Sequence, residues 1–390
     1  MLPFLRTDLA QAIGYTPNPG HGNFPHDRPM DALDTNESPL DLPAALKQTL
    51  AAVYQTEIQT NRYPDGSHHL LKTLVQDYVN ESRQYGHPAL QTHPSQDFGI
   101  EHLSLGNGSD ELIRSLLIAT CLPCCGSVLI ADPTFSMYGI LAESLGIPVV
   151  RVGRNAESFA VDSVAAQEAI DRPPAGFPPV RIVFMVHPNS PTANGLSAAE
   201  VRWLESIPEA VLLVIDEAYF EFSQSTLVNQ VLQRSNWVIT RTFSKAFRLA
   251  AHRVGYAVGH PELIAVLEKL RLPYNLPTFS QTAAIVALQH RHQILEGVTE
   301  IMGERDRLAQ VLQTIPGLHC YPSAGNFLFI RLQQASPERY QYILQQLQER
   351  GTLIRYTGHG LRITIGDAAM NQRTSDRLQS VLKTLETPNP

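Results

Sequence analysis

The chain has 390 residues, more than one domain usually holds, so a large domain with a smaller companion is the expected plan. With 43% hydrophobic and 17% charged residues it has ample material for a core. A net charge of −7 without any basic run argues against nucleic acid as the main partner, and no apolar stretch reaches membrane-spanning length.

Met1-Leu2-Pro3-Phe4-Leu5-Arg6 lacks the apolar core of a signal peptide, so a cytoplasmic protein is expected. Residues 1–35, rich in Pro, Gly, His and Asn, read as an irregular arm lying on a surface, such as that of a partner subunit. A helix is expected from Leu42 to about Gln55, then the punctuated Asn61-Arg62-Tyr63-Pro64-Asp65-Gly66, then a helix over Leu70 to Tyr85. His68-His69 reads as the start of that second helix rather than as a ligand pair. Residues 86–99 read as loop. The short apolar Leu103-Ser104-Leu105 leads through Gly106-Asn107-Gly108-Ser109-Asp110-Glu111 into a helix over Leu112 to Ala119. Cys121, Cys124 and Cys125 follow it. Zinc would need a fourth ligand at finger-like spacing, and Cys320 is far away, so no metal is expected.

Strands and helices then alternate, the pattern of a mainly parallel α/β sheet. The strand candidates are Ser127–Ala131, Val149–Val152, Ile182–Val186, Val211–Ile215, Trp237–Thr240 and Gly255–Val258. After Leu272-Pro273-Tyr274-Asn275-Leu276-Pro277 the character changes. A helix-rich stretch leads to a strand at Asn326–Ile330, a helix over Pro337 to Arg350, and short strands at Thr352–Arg355 and Leu361–Ile365. The expected division is an arm (1–35), a large domain (36–275) and a smaller α+β domain (276–390) packed with the arm.

The chemistry is concentrated after two of the strands. Asp216-Glu217-Ala218-Tyr219 ends one apolar run; Thr242-Phe243-Ser244-Lys245, then Arg253, follows the next. Ligands of open α/β sheets bind at that carboxyl edge. A pyridoxal phosphate site needs this set. A partly desolvated lysine condenses with the aldehyde, and a carboxylate keeps the ring nitrogen protonated. A phenol bonds the ring oxygen; a hydroxyl and an Arg take the phosphate. Singly, a strand-end Asp is also a helix cap and Ser-Lys also a solvated turn; together they point to the cofactor. Ser109 and Asp110, at a helix start behind a glycine, are an ordinary N-cap by themselves and become a phosphate seat in this company. Phe135 or Tyr138, in Pro133-Thr134-Phe135-Ser136-Met137-Tyr138, offers an aromatic to stack on a planar ring. His187-Pro188-Asn189-Ser190-Pro191-Thr192 offers an amide or hydroxyl for the ring oxygen.

From Asn36-Glu37-Ser38-Pro39 through Arg62-Tyr63-Pro64 to Leu361-Arg362-Ile363-Thr364, the chain resembles the class I/II aminotransferases of fold-type-I pyridoxal phosphate enzymes, specifically histidinol-phosphate aminotransferases. The most specific stretch runs from Arg241 through Lys245-Ala246-Phe247-Arg248 to Arg253-Val254-Gly255-Tyr256. The resemblance implies Lys245 as the cofactor lysine, Asp216 at the ring nitrogen and Tyr219 on the ring oxygen. It places Ser109, Asp110, Ser244 and Arg253 around the phosphate, Phe135 on the ring and Thr242 among the cofactor-binding residues. It implies a homodimer with shared sites, Tyr63 reaching the partner's phosphate. Tyr15, Asn36, Arg355 and Arg362 fall at substrate positions, the two arginines at the acidic end.

Two departures stand out. The family's usual Asn before Pro-Thr-Gly is Ser190 here, preceded by Asn189, and its Gly is Ala193. Where Arg248 stands the family commonly has Gly. The implied reaction is amino transfer between histidinol phosphate and 2-oxoglutarate. An aromatic amino-acid aminotransferase is the near alternative, and an amino-acid-phosphate decarboxylase shares the fold. A regulator built on an aminotransferase-like domain would need a DNA-binding segment, which does not fit in the 35 residues before the motif region.

Overall fold

The computed structural model describes residues 30–90 and 94–386, with 2, 6–11 and 14 near the N-terminus. Strand β1 (Asp31–Ala32) stands apart from the main sheet. β2 (Leu103–Asn107), β3 (Ser127–Ala131), β4 (Val149–Val152), β5 (Val180–Val186), β6 (Leu212–Asp216), β7 (Trp237–Thr242) and β8 (Val254–Gly259) form that sheet in the order β2-β8-β7-β6-β5-β3-β4. Apolar runs rich in Val, Ile and Leu suit strands buried on both faces. Side chains alternate accordingly: Leu213 and Ile215 enter one core, Leu212 and Val214 the other.

β3 to β7 run parallel, and β8 runs antiparallel to both its neighbours. That reversal has a consequence for the site. β6 and β7 deliver their C-terminal ends, Asp216 and Thr242, to the functional edge, while β8 delivers its N-terminal end. Arg253 therefore arrives beside residues that follow other strands.

The smaller unit is an antiparallel sheet. β9 (Leu318–Cys320), β10 (Phe327–Leu332), β12 (Arg355–Thr357) and β13 (Gly360–Thr364) lie in the order β12-β13-β10-β9. Helices Arg291–Gln313, Pro337–Glu349 and Ala368–Glu386 fill its core with Leu308, Ile343 and Leu378 among others. The sequence reads one strand over Thr352–Arg355; the structure divides it. β11 (Thr352–Leu353) pairs in parallel with β1, and Arg355 begins β12. Helix Thr278–Gln289 packs in the core of the large sheet through Ala283, Ala284 and Leu288. The passage between cores falls within helix Arg291–Gln313, where Ile294 belongs to the larger core and Val298 to the smaller. Among the described residues no helix is long and apolar enough to cross a membrane.

Beneath the functional edge lies a buried ion pair. Arg241 on β7 donates from Nε and Nη2 to Glu217 Oε2 at 3.0 and 2.9 Å, and from Nη1 to Ser82 Oγ at 2.9 Å. Its guanidinium also lies 3.9 Å from the Phe220 ring centroid. Removing one partner strands the other charge without solvent. Arg241→Met is expected to cost about 3–5 kcal/mol of unfolding free energy in a denaturant titration.

Candidate active site

The edge where β2, β6, β7 and β8 converge opens into a cavity of about 210 Å³. One end suits an anion. Helix Gly108–Cys121 starts directly after β2, and Ser109 and Asp110 of its first turn line the cavity, where a helix N-terminus favours an anion. Gly108 has φ +70°, and a Cβ there would lie 2.5 Å from an Arg253 nitrogen; a Cβ on Gly255 would meet Ser109 N at 2.6 Å. These two glycines allow the start of β8 to close on the first turn of the helix. Arg253 donates to Ser244 Oγ at 3.1 Å and to Asp110 Oδ2 at 3.3 Å. Thr242 Oγ1 donates to Ser244 Oγ at 2.9 Å. Ser109, Thr242, Ser244 and Arg253 thus meet at one helix terminus, as the sequence implies.

Asp216, at the end of β6, lines the same cavity. Its Oδ2 accepts from the Tyr138 hydroxyl at 2.7 Å and its Oδ1 from the Ala218 N–H at 3.1 Å. Burial pushes its carboxyl up to about 6, while the Tyr138 hydrogen bond holds it down. The sequence offered Phe135 and Tyr138 equally for stacking, and the structure separates them. Phe135 lines the cavity; Tyr138 is buried, lies flat on Phe184 with centroids 4.6 Å apart, and holds Asp216. The bond from Tyr138 to Asp216 is not among the sequence expectations. The spacing of Tyr138 from Phe135, three residues on at a helix start, is the signal that puts both on one side.

Tyr219 is also buried, and Asn36 Nδ2 donates to its hydroxyl at 2.9 Å. Asn36 is therefore not among the cavity-lining residues. It sits behind Tyr219, locked to Thr364 by its backbone N–H at 2.9 Å. Asn189 is likewise committed elsewhere. Its Nδ2 donates to Pro133 O at 3.0 Å and Thr192 Oγ1 at 2.6 Å, and its Oδ1 accepts from Thr134 Oγ1 at 3.1 Å. Ser190 lines the cavity instead. Of the two residues offered for the ring oxygen, only the serine lines the cavity.

Lys245 Nζ donates to the Thr35 carbonyl at 2.9 Å. Burial first, then the positive charge of Arg362, lowers the amine to about 8, so a useful fraction is neutral near physiological pH. Arg355 and Arg362 are directly opposite on β12 and β13, which places both on one face, and both line the cavity. Like charges so placed repel unless an anion lies between them. Arg362 also donates to Ser190 Oγ at 3.3 Å and to the Asp34 carbonyl at 2.5 Å. Tyr63 is not in this cavity: it is 81% exposed and stacks on Tyr274 with centroids 4.6 Å apart. Tyr15 lies outside the described residues.

Comparison with known proteins matches this arrangement. The model of the family "Aminotransferase class I and II" matches residues 30–382. A Nostoc protein named histidinol-phosphate aminotransferase 2 is 54% identical over 387 residues, 98% of each chain. Histidinol-phosphate aminotransferase from Sinorhizobium meliloti, solved in complex with pyridoxal-5'-phosphate, superposes with a TM-score of 0.82 over 99% of both chains at 20% identity. L-threonine-O-3-phosphate decarboxylase from Porphyromonas gingivalis gives 0.71 at 19% identity, over 91% of this chain and 100% of its own. At such identities the superpositions establish the fold, which both activities share. The family match over nearly the full length decides membership: the chain is a class I and II aminotransferase.

Proposed function

We propose that the chain transfers an amino group between histidinol phosphate and 2-oxoglutarate, giving imidazole-acetol phosphate and glutamate, with pyridoxal phosphate in the cavity. The observation that carries this is the 54% identity, over 98% of both chains, to a protein named for that activity. The donor set fits the cofactor from end to end. An anion seat, an Asp buried for a ring nitrogen, a phenol and an amine of lowered pKa line one cavity.

When bound, the cofactor supplies an aldehyde to carry the amino group and a ring to take up the electron pair left at Cα. The chain's own residues do the rest. Ser109, Ser244 and Arg253 hold the phosphate, and Asp216, once a cation lies beside it, stays ionised. Asn36 occupies a lone pair of the Tyr219 hydroxyl, which leaves the phenol's proton for the ring oxygen. Lys245, neutral in part, would take the proton from substrate Cα and carry it to the former aldehyde carbon of the cofactor rather than back to Cα. Arg355 and Arg362 receive the phosphate of one substrate and a carboxylate of the other, since a guanidinium fork fits both. The keto product leaves before the acceptor enters, so double-reciprocal plots should be parallel.

Steady-state assays test the substrate. Histidinol phosphate should exceed phenylalanine and tyrosine in kcat/KM by about tenfold or more, a difference of about 1.4 kcal/mol. Equal values would move the assignment to an aromatic amino-acid aminotransferase, and release of carbon dioxide to a decarboxylase.

The proposed assembly is a homodimer in which Tyr63 reaches the partner's phosphate. The exposed Tyr63–Tyr274 stack beside Leu272, 72% exposed, favours such a face. Lys245→Ala and Tyr63→Phe subunits mixed together should form heterodimers with one intact site. Activity never rising above either parent would reject shared sites and leave the aminotransferase reading standing. A cytoplasmic location is proposed as well, and the free thiols of exposed Cys124 and Cys125 suit a reducing compartment.

A further inference from the structure

Arg248, three residues after Lys245, does not line the cavity. Its backbone lies in the left-handed region at φ +61°, which disfavours any residue with a Cβ. Its guanidinium donates to two carbonyls, Asp41 O at 3.0 Å and Ile294 O at 2.8 Å. Helix Arg291–Gln313 makes room for it with Gly297. A Cβ there would lie 2.3 Å from an Arg248 nitrogen and 2.6 Å from Leu40 Cδ1. Glycine inside a helix is a poor choice locally, and so is arginine at positive φ. The two unfavourable choices, nearly fifty residues apart, meet at one contact and account for each other.

Both carbonyls belong to places where the chain passes between the two cores. Leu33 packs in the smaller core and Leu42 in the larger; Ile294 packs in the larger and Val298 in the smaller. The first passage carries Thr35, which accepts from Lys245 Nζ, and Asn36, which donates to Tyr219. Arg248 is itself tied to the lysine, its N–H donating to the Lys245 carbonyl at 3.1 Å.

We propose that Arg248 is a positioning residue: from the turn that bears Lys245 it pins both passages between the cores, and so fixes Thr35 and Asn36 against the Lys245 amine and the Tyr219 hydroxyl. Its kinetic consequence rests on Lys245 being the reacting amine; its mechanical consequence does not.

Two variants test it on the protein as isolated. Arg248→Met keeps the aliphatic stem and removes the donors. Gly297→Ala leaves Arg248 in place and displaces its guanidinium together with the Leu40 side chain, and the double variant separates the two, since the Leu40 clash persists without Arg248; from helix propensity alone Gly297→Ala should be neutral or stabilising. In hydrogen exchange, each variant should speed the amides of residues 33–42 roughly tenfold, and the double variant should be no faster than either single one. With the best amino donor, kcat should fall about tenfold in both, more than KM rises. Unchanged exchange over 33–42 in Gly297→Ala overturns the pin, as do additive effects in the double variant. Faster exchange with an unaltered kcat overturns the positioning role. A different natural substrate would leave the exchange result untouched, so failure of the functional reading is distinguishable from failure of this one.

Discussion

Lys245→Ala is expected to lower turnover by roughly five orders of magnitude, the scale on which losing a covalent catalytic group is felt. In the proposed mechanism the same side chain is both attachment point and proton carrier, so no neighbour would substitute for it. The variant should still bind the cofactor, since Ser109, Ser244, Arg253 and Asp216 are untouched, but it should release it on dialysis. In the unmodified protein, borohydride reduction and peptide mapping should place the label on Lys245; label on Lys269 would sink the assignment. The lowered amine adds a pH dependence. Below about 8 the neutral fraction of Lys245 falls tenfold per pH unit. Recapture of cofactor by the stripped protein should slow accordingly on acidification and level off above that value.

Asp216→Asn should reduce turnover by roughly three orders of magnitude or more, because an amide cannot hold the ring nitrogen protonated. Its effect on stability should have the opposite sign. In the cofactor-free protein burial raises the Asp216 carboxyl from 3.8 to about 6, so the folded state binds that proton more tightly than the unfolded state. Stability from this group is therefore present below about pH 4 and lost as pH rises through 6, about 3 kcal/mol in all. The stripped Asn variant should lack this loss and melt higher than the stripped parent at pH 8. A variant that is active, or that melts lower at pH 8, would make Asp216 a structural residue.

Some of this site is legible in sequence because strand geometry carries it. Asp216 ends an apolar run and Lys245 follows the next, and parallel neighbours bring their ends together whatever lies between. Arg253 needs more than that rule, since it precedes a strand; only the reversal of β8 brings it to the same edge. The choice between Asn189 and Ser190 rests on a hydrogen-bond network with Pro133, Thr134 and Thr192, which no local pattern encodes. Asn36 reads as a substrate residue from its motif, and nothing in that motif signals the hydrogen bond its amide donates to Tyr219. Ala193 and Arg248 hold a positive φ, at +64° and +61°, a backbone shape that neither residue type signals in sequence.

The bond from Asn36 N to Thr364 Oγ1 joins residues 328 positions apart. During synthesis, the Tyr219 phenol cannot be set until the C-terminal hairpin has left the ribosome and folded back. The strands of the central sheet and the side chains of its anion seat lie within residues 103–259, while its core also draws on Leu71, Val75, Ala283 and Leu288. A nascent chain complete as far as Ile294 is therefore expected to hold its anion seat before the contacts that set the Tyr219 phenol exist. Inorganic phosphate alone should then speed the early phase of refolding, whereas the final phase should answer only to contacts made by the last fifty residues.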